Sequence, residues 1–361
     1  MKKVIAIFGG DSTESDISVI TAIEALNACP FRDYRVYPIY VCGGSWYSSD
    51  SMLDLKTFID FEPKNHKKVA LIGNKLYYEK RGKWKFLDDV DCALLLTHGG
   101  VGESGELQGF LEISGVPYTS SRVRESALSM DKYLLKLALK DMQIGVVKGV
   151  IVENDGEESV NKVEKAIDYP VFVKPNAQGS SIGVGRAKNR EELLAKLAVA
   201  FKYDNRVLVE KCMENFEEYN VAVARFGDNI LVSDVEKPFS AGEFLSFEDK
   251  YLDYSKTACL CKREFPACIS EELRAEIRSI SQNVYENLNL KGVVRFDFIY
   301  KKRLYLNELN AIPGSLAHYL FAGISYTDFL SMLIDEAIDN GVKKYPAFES
   351  GVLKQGGWNY K

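Results

Sequence analysis

The sequence lacks several features that would each assign it to a broad class of protein. It has no run of about 18 uncharged apolar residues, the length that a membrane-spanning helix needs. Its 46 basic residues are outnumbered by 51 acidic ones, whereas nucleic-acid-binding proteins carry an excess of basic residues. The apolar run at residues 4–8 is too short for the core of a secretory signal peptide. We therefore expect a soluble protein with neither a membrane nor a nucleic acid as its partner.

The seven cysteines are scattered along the chain and odd in number, unlike the paired cysteines of a secreted disulfide framework. Cys259 and Cys261, with Cys268 downstream, come closest to metal-ligand spacing. A structural zinc site usually takes four ligands, and neither a second cysteine pair nor a histidine lies near these three. The cysteines therefore argue against zinc, and their pattern favours a cytoplasmic protein.

Apolar segments of strand length recur in the N-terminal part of the chain. Residues 4–8 and 92–96 are continuously apolar, which is typical of strands buried on both faces of a parallel sheet. Residues 35–41 form another strand pattern. A helical pattern separates the strand at residues 4–8 from the strand at residues 35–41. We therefore predict an α/β class and a doubly wound parallel sheet here.

Two loops of this predicted sheet lie where such folds bind ligands. Residues 9–14 and 97–103 follow the carboxyl ends of strands, and the ligands of doubly wound sheets bind beyond those ends. Thr13 and Asp16 have the spacing of a capping box, which predicts a helix start directly after the first loop.

The length of the chain and its turn-forming residues indicate how it divides into domains. A length of 361 residues predicts two or three domains. The Gly-Val-Pro segment and the Ser-rich segment that end near residue 121 look like a boundary, and one helix is expected over residues 122–142. We predict an N-terminal α/β domain at residues 1–120, a central lobe at 121–213 and a C-terminal α+β lobe at 214–361.

A glycine-rich loop at residues 173–185 is the strongest functional signal. Lys174 ends an apolar strand, and a loop of small residues that includes Gly179, Ser180 and Ser181 follows it. Glycines allow close backbone approach, so the loop N–H groups and the lysine would surround phosphate oxygens. No Walker motif occurs in the sequence, and a hairpin lid over nucleotide phosphates fits best. A glycine-rich hairpin without a ligand is the alternative.

Polar residues on two adjacent C-terminal strand patterns form a second signal. Arg295 and Asp297 are two residues apart, as are Glu308 and Asn310, so each pair lies on one face of its strand. Two carboxylates and an amide oxygen suit Mg²⁺ that also holds substrate phosphates. The alternative is the ordinary polar alternation of half-buried strands.

A third segment, residues 210–213, ends another apolar strand. In a nucleotide-binding cleft, such a segment can serve as the adenine hinge: its backbone groups would pair with the edge of the adenine while a carboxylate binds the ribose. The alternative is a strand terminus with solvated charges.

Taken together and in order, these motifs resemble the D-alanine–D-alanine ligases of the ATP-grasp superfamily. The resemblance runs from the first strand to about residue 325 and rests on the following segments: residues 9–14, 98–109, 130–132, 173–175, 179–181, 247–251, 295–297 and 308–314. It implies a preATP-grasp N-terminal domain followed by a two-lobed ATP-grasp fold.

The resemblance implies a set of ATP-binding and metal-binding residues. The expected contacts to the ATP phosphates are Lys132, Lys174, Gly179 and Ser181, with Lys250 reaching the transferred phosphate. The expected adenine hinge comprises Glu210, Lys211, Cys212 and Met213, with Glu218 (or Glu217) at the ribose. The expected ligands of two Mg²⁺ or Mn²⁺ ions are Asp297, Glu308 and Asn310.

The resemblance also implies a set of substrate residues. Arg295 and the Gly314 amide would stabilise the oxyanion, and a hydrogen-bonded triad would comprise Glu14, Ser180 and Tyr251. Further expected substrate contacts are His98, Glu103, Ser315 and Leu316. The segment after Gly314 is shorter than is usual in the family, so His318 or Tyr319 is an alternative lining of the acceptor pocket.

The implied activity is ATP-dependent joining of two D-alanines through an acyl phosphate, with release of ADP and phosphate, for peptidoglycan synthesis. The family also implies a homodimer. One alternative is a related carboxylate–amine ligase with a different second amino acid. Another is an ATP-binding module without turnover, against which the intact metal-ligand set argues.

Overall fold

The computed structural model describes residues 1–238 and 263–342. The predictions for Lys250, Tyr251, Cys259 and Cys261 lie outside these residues. The described part is mixed α/β, as expected. No helix in it is both long and apolar enough to cross a membrane.

The N-terminal sheet is parallel at its centre. Strand β1 (Lys2–Gly9) pairs in parallel with β2 (Tyr34–Cys42) on one side and with β7 (Cys92–Leu95) on the other. Residues 4–8 of β1 are fully buried in the apolar core, and the helix that follows β1 packs on this strand. The two predicted ligand loops therefore leave the same edge of the sheet.

Beyond β2 the same sheet continues as an antiparallel meander, which the sequence pattern did not indicate. Its strands are β3 (Ser45–Ser48), β4 (Lys67–Ile72), β5 (Lys75–Lys80) and β6 (Lys83–Asp89), and the whole order is β6-β5-β4-β3-β2-β1-β7. Gly73 and Gly82 have positive φ in the tight turns between the last three strands. Short turns of this kind join antiparallel neighbours, so the parallel arrangement holds for β2, β1 and β7 only.

Helix α1 (Ser15–Ala28) follows β1, but the predicted capping box does not form. The residue before the helix is Glu14, and its side chain makes no capping hydrogen bond. The helix starts one residue later than the Thr13 and Asp16 motif requires, and the Glu14 carboxylate accepts a hydrogen bond from Ser180. The helices α2 (Lys56–Ile59) and α3 (Glu106–Ser114) complete this part of the chain, with 3₁₀ turns at Asp50–Leu53, Pro63–Asn65 and Gly100–Gly102.

The helix expected over residues 122–142 is two helices, α4 (Val123–Met130) and α5 (Lys132–Asp141). Asp131 between them has extended backbone, with ψ of 97°, and its carboxylate caps α5 by accepting from the Leu134 N–H at 2.8 Å. The prediction was wrong because an aspartate inside a helical pattern also serves as an N-cap.

The central sheet is antiparallel in the order β10-β9-β11-β8. Its strands are β8 (Gly149–Val152), β9 (Val171–Pro175), β10 (Gly185–Ala187) and β11 (Val207–Lys211). Helices α6 (Glu157–Ala166) and α7 (Arg190–Ala200) pack on it around a core of valines and leucines. The glycine-rich loop joins β9 to β10.

The C-terminal sheet has the order β13-β12-β16-β17. Its strands are β12 (Glu217–Phe226), β13 (Asn229–Val232), β16 (Val293–Tyr300) and β17 (Leu304–Asn310), and helix α8 (Glu271–Asn287) packs on it. Two short strands, β14 (Lys237–Pro238) and β15 (Arg263–Glu264), pair beside it.

The end of the described chain returns to the N-terminal sheet. A 3₁₀ segment, Gly314–Leu320, contacts α1, and helix α9 (Tyr326–Asn340) packs on β7 and α1. Phe329 and Leu330 are fully buried in the same apolar cluster as β1. The part of the chain after β17 thus contributes to the N-terminal core, and the domain limits given above stay predictions.

Candidate active site

Four polar side chains share one face of the hairpin between β16 and β17. Arg295 lies opposite Asn310, and Asp297 lies opposite Glu308, so all four project from the same side. The opposite face carries Phe296 and Leu309, which are buried in the core. The alternation noted in the sequence therefore brings these groups together.

Asp297 is the centre of this group. Arg295 donates to both of its oxygens, from Nε at 2.7 Å and from Nη2 at 2.8 Å, and Asn310 Nδ2 donates to Oδ2 at 3.0 Å. Burial would lower the pKa of Arg295, but the charge of Asp297 and its hydrogen bonds raise it well above the usual value. The guanidinium is therefore a permanent cation beside two carboxylates.

The donor set of this face fits a hard divalent cation. Asp297 and Glu308 offer carboxylate oxygens and Asn310 an amide oxygen, which are the ligands that Mg²⁺ takes together with substrate phosphates. Among the described residues there is no group of three or more His, Cys, Asp or Glu side chains that would hold a metal. This donor set therefore fits a cation that is coordinated by oxygen atoms, with substrate oxygens completing its coordination shell.

A buried ion-paired cluster lies under the glycine-rich loop. Glu210 pairs with both Lys136 and Lys174, and all three side chains are at least nine-tenths buried. Burial alone would raise the pKa of Glu210, but the charges and hydrogen bonds of the two lysines lower it to about 2. Glu210 is therefore ionised, and its side chain binds lysines within the protein.

Lys136 was missed by the sequence reasoning. It lies four residues after Lys132, on the same face of α5, and its Nζ also donates to the Val147 carbonyl at 3.3 Å. The i, i+4 spacing from a predicted phosphate-binding lysine was the signal that could have found it.

Lys174 connects the glycine-rich loop to the acidic hairpin. Its Nζ donates to Asn307 Oδ1 at 3.3 Å, and Asn307 directly precedes Glu308. The pairing of β16 with β17 shifts register beside Asp297, and Asn307 is the residue that this irregularity leaves unpaired in the ladder. Sequence reasoning missed Asn307 because a strand bulge is set by tertiary contacts.

Lys132 is buried in the same crevice. Its Nζ donates to the Gln178 carbonyl at 2.5 Å. Burial lowers its pKa, while the nearby carboxylates of Glu308 and Glu14 act in the opposite direction. The two predicted phosphate lysines and the two predicted metal carboxylates therefore meet in one place.

The glycine-rich loop closes over Glu14 of the N-terminal sheet. Ser180 Oγ donates to the Glu14 carboxylate, and Ser180 and Ser181 both have positive φ, of 51° and 59°. A Cβ atom on Gly179 would lie 2.7 Å from Glu14 Oε2, and one on Gly99 would lie 2.6 Å from it. A side chain at either position would therefore require the Glu14 carboxylate to move from where it lies.

Glu103 and His98 lie beside Glu14. Glu103 accepts from the backbone N–H groups of Gly99 at 3.0 Å and Ile312 at 3.1 Å, and burial with the nearby Glu14 charge raises its pKa to about 7. His98 Nε2 is 2.9 Å from Thr21 Oγ1, and burial lowers the pKa of the imidazole to about 4. The histidine is therefore neutral at pH 7.

The predicted adenine hinge is anchored through its backbone. The Lys211 N–H donates to the Lys148 carbonyl at 2.9 Å, and the Cys212 N–H donates to the Pro170 carbonyl at 3.1 Å. Met213 follows at the end of β11, half-buried. The two amides are thus engaged with the protein, and any adenine contact falls to the remaining hinge groups.

The two candidate ribose carboxylates face opposite ways. Glu217 accepts from the Tyr219 hydroxyl at 2.8 Å and pairs with Lys237. Glu218 alternates with it on β12 and shares the face of Asn220, which lies opposite Asp297 in the register. Glu218 therefore lies on the face of β12 that carries Asn220, and Glu217 lies on the opposite face.

The segment after Gly314 is tied to the N-terminal sheet. The Ser315 N–H donates to Thr21 Oγ1 at 3.2 Å, and its hydroxyl donates to Glu24 at 2.5 Å. Leu316 is 2% exposed and packs in the N-terminal core. A Cβ atom on Gly314 would meet nothing within 4 Å, so its backbone borders open space.

Comparison with known proteins gives one family. The family models described as the N-terminus and the C-terminus of D-ala D-ala ligase match residues 3–121 and 137–335. A D-alanine–D-alanine ligase of Thermosipho melanesiensis is 36% identical over 98% of this chain and 99% of its own.

Solved structures agree. The D-alanine–D-alanine ligase of Helicobacter pylori matches with a TM-score of 0.77 at 28% identity, over 93% of this chain and 98% of that one. The VanG D-Ala:D-Ser ligase of Enterococcus faecalis matches with a TM-score of 0.79 at 28% identity, over 93% and 99%. The chain therefore belongs to the D-alanine–D-alanine ligase family of the ATP-grasp superfamily.

Proposed function

We propose that this protein joins two D-alanines into D-alanyl-D-alanine at the expense of ATP, in the cytoplasm, for peptidoglycan synthesis. The observation that carries the proposal is the contact of Lys174 with Asn307, because it brings the glycine-rich loop against the hairpin of Asp297 and Glu308. Cations for phosphate and oxygens for a metal then border one crevice. Names of the relatives support the choice of substrate.

ATP would bind between the central and C-terminal sheets. Its phosphates would lie against Lys132, Lys174, Ser181 and the backbone of Gly179, with the adenine at residues 210–213 and the ribose at Glu218. The ion pairs of Glu210 support this arrangement. One carboxylate oxygen of Glu210 pairs with Lys136 and the other pairs with Lys174, so Lys174 is held at a fixed position beside the glycine-rich loop.

Asp297, Glu308 and Asn310 would hold the Mg²⁺ or Mn²⁺ ions. When bound, the metal neutralises charge on the phosphates during transfer. Arg295 contributes a cation on the same face, so charge that develops at the reacting carboxyl group is stabilised by a group that the protein holds in place.

The first step activates the first D-alanine. Glu14, held by Ser180 and neighboured by His98 and Glu103, would bind the ammonium group. A carboxylate oxygen of the amino acid attacks the γ-phosphorus of ATP, and the bond to the bridging oxygen breaks with its electron pair leaving on ADP. The product is an acyl phosphate.

The second step forms the amide. The neutral amine of the second D-alanine attacks the acyl carbon, and Arg295 with the Gly314 amide would stabilise the oxyanion. The C–O bond to phosphate then breaks, and its electron pair leaves with the phosphate. The amine gives up a proton as the amide forms, and the departing phosphate takes up one proton.

A coupled assay tests this function. Purified protein with ATP, Mg²⁺ and D-alanine should release one ADP for each dipeptide, and omission of any one component should stop both. Lys174→Ala should abolish both products with unchanged secondary structure by circular dichroism. ATP hydrolysis without dipeptide, or a full rate in Lys174→Ala, would refute the proposal.

A different second amino acid is the remaining candidate. It is favoured by the short segment after Gly314 and by the similarity to a D-Ala:D-Ser ligase. A panel of second amino acids in competition with D-alanine separates the two, since the mass of the dipeptide reports which one was incorporated.

Two further proposals concern the cellular compartment and the oligomeric state of the protein. The described cysteines, Cys29, Cys42, Cys92, Cys212 and Cys268, are all free thiols, which fits a reducing compartment. We expect a homodimer from the family, and light scattering coupled to gel filtration tests it.

A further inference from the structure

Three of the side chains that follow Gly314 are engaged in contacts within the protein. The Ser315 hydroxyl is bonded to Glu24, and Leu316 is buried. The His318 imidazole bonds to the Ile324 carbonyl at 2.7 Å and stacks on Tyr326 with ring centroids 4.6 Å apart. Each of these groups is therefore engaged in holding the segment on the N-terminal domain.

Tyr319 also packs against this apolar cluster, but its hydroxyl lies near charged groups of the C-terminal sheet. The 3₁₀ segment that carries it packs on β12 and β16, and Arg295 is part of β16. Burial raises the pKa of the Tyr319 hydroxyl to about 12, with Arg295 acting against the rise and Glu236 and Asp297 adding to it. The Tyr319 hydroxyl is therefore close enough to Arg295 and Asp297 for their charges to affect its pKa.

Arg263 covers the Tyr319 ring. Its guanidinium carbon is 4.3 Å from the ring centroid, and Nη1 donates to Glu236 at 3.4 Å. The backbone of Glu236 pairs with Asn220, which lies opposite Asp297, so Glu236 is two strands from Asp297, or about 10 Å. The charges of Arg263 and Arg295 therefore both act on the same tyrosine hydroxyl.

Arg263 has hydrogen-bonding capacity left over. Within residues 1–238 and 263–342, its Nη2 and Nε have no hydrogen-bond partner, and its side chain is 39% exposed. A guanidinium stacked by its face on an aromatic ring keeps its edge N–H groups directed outward, in the geometry that binds a carboxylate. The second amino acid of the reaction brings such a carboxylate.

We propose that Arg263 and Tyr319 form the subsite for the second amino acid: the guanidinium binds its carboxylate, and the tyrosine ring limits the size of its side chain. This inference rests on the proposed function. The subsite would accept a small amino acid with a free carboxylate, its neutral amine directed towards the acyl carbon beside Arg295 and its carboxylate towards Arg263.

The test separates the two halves of the reaction. Hydroxylamine attacks an acyl phosphate directly and releases phosphate, so D-alanine hydroxamate reports the first step without an amino-acid acceptor. Arg263→Met should leave hydroxamate formation unchanged and raise the KM for the acceptor by about 10- to 100-fold, the effect of losing a hydrogen bond between charged groups. Arg263→Lys should restore part of the loss.

Two further comparisons test whether Arg263 binds the acceptor carboxylate and whether the Tyr319 ring limits the size of the acceptor side chain. Wild-type protein should prefer D-alanine over D-alaninamide as the acceptor, and Arg263→Met should lose that preference. Tyr319→Ala should shift the product ratio towards D-norvaline when it competes with D-alanine. The ratio is internal to each reaction, so a smaller folded fraction does not change it.

Arg303→Met is the matched control, because Arg303 stacks on Tyr305 at 4.8 Å on the far end of the β16–β17 hairpin. It should change none of these values. If wild-type protein forms neither hydroxamate nor dipeptide, the proposed function fails. If it forms both and Arg263→Met keeps the acceptor KM and the preference over D-alaninamide, this inference is overturned while the function stands.

Discussion

The Ser180 hydroxyl donates a hydrogen bond to the Glu14 carboxylate and so joins the glycine-rich loop to the N-terminal sheet, across 166 positions of sequence. Glu14 lies after β1 and Ser180 after β9, in two different sheets. The contact closes the crevice on the side of the first substrate, because the carboxylate proposed to hold an ammonium group is itself held by the loop that covers the phosphates.

Removing this hydroxyl should weaken binding of the first D-alanine. We expect Ser180→Ala to raise the KM for the first D-alanine by about tenfold, since a hydrogen bond to a charged group is lost. The KM for ATP should change little, because the loop backbone remains. Initial rates against D-alanine with hydroxylamine as the acceptor measure the effect. Ser331→Ala on α9 serves as the control, and equal changes in both KM values would contradict the account.

Loss of Lys136 should damage both the fold and ATP binding. Lys136→Met leaves Glu210 buried with one lysine in place of two, so the remaining lysine is drawn towards it and away from the phosphates. Breaking a buried ion pair costs about 3–5 kcal/mol, so urea unfolding should show a loss of that order. The KM for ATP should rise more than that for D-alanine.

Lys140→Met is the matched control for this substitution. Lys140 lies one turn further along α5 and is exposed, so its loss should leave both the stability and the KM for ATP unchanged. An unaltered KM for ATP in folded Lys136→Met would show that the buried cluster has no part in nucleotide binding.

The acidic hairpin should account for the metal requirement. Asp297→Asn removes the charge that orients Arg295 and a proposed metal ligand, so we expect at least a 100-fold loss of turnover. The concentration of Mg²⁺ for half-maximal rate should also rise. Asp228→Asn, in the exposed turn between β12 and β13, should match wild type. A wild-type Mg²⁺ profile in Asp297→Asn would place the metal elsewhere.

His98 should make the protein less stable in mild acid. Its pKa is about 4 when folded and about 6.5 when unfolded, so the unfolded chain takes up a proton first as the pH falls. The stability is complete above pH 6.5 and declines as the pH falls towards 4, by about 3 kcal/mol at most. His98→Gln should flatten this part of the curve of unfolding free energy against pH, and an equally steep curve would contradict a buried neutral imidazole.

Periodicity alone predicted which polar side chains share one face of the candidate site. Alternation on two strands was enough to place Arg295, Asp297, Glu308 and Asn310 on one face, because the β repeat is two residues whatever the surroundings. The buried strand at residues 4–8 followed from a different local pattern, a continuous apolar run of strand length.

The remaining features depend on contacts between distant parts of the chain. Glu14 stands at the N-cap of α1 but its carboxylate bonds to Ser180, and Asn307 enters the crevice through a strand bulge. Ser315 and Leu316 match the family motif by position, yet their side chains turn towards α1 and the N-terminal core. No local pattern encodes these partners, so only the assembled fold reveals them.

The most direct measurement follows an oxygen atom from D-alanine to phosphate. D-alanine labelled with ¹⁸O in its carboxylate is turned over with ATP and Mg²⁺, and the released phosphate is analysed by mass spectrometry. We expect one ¹⁸O atom in each phosphate, because the carboxylate oxygen becomes the bridge of the acyl phosphate. Unlabelled phosphate accompanying labelled dipeptide would contradict it.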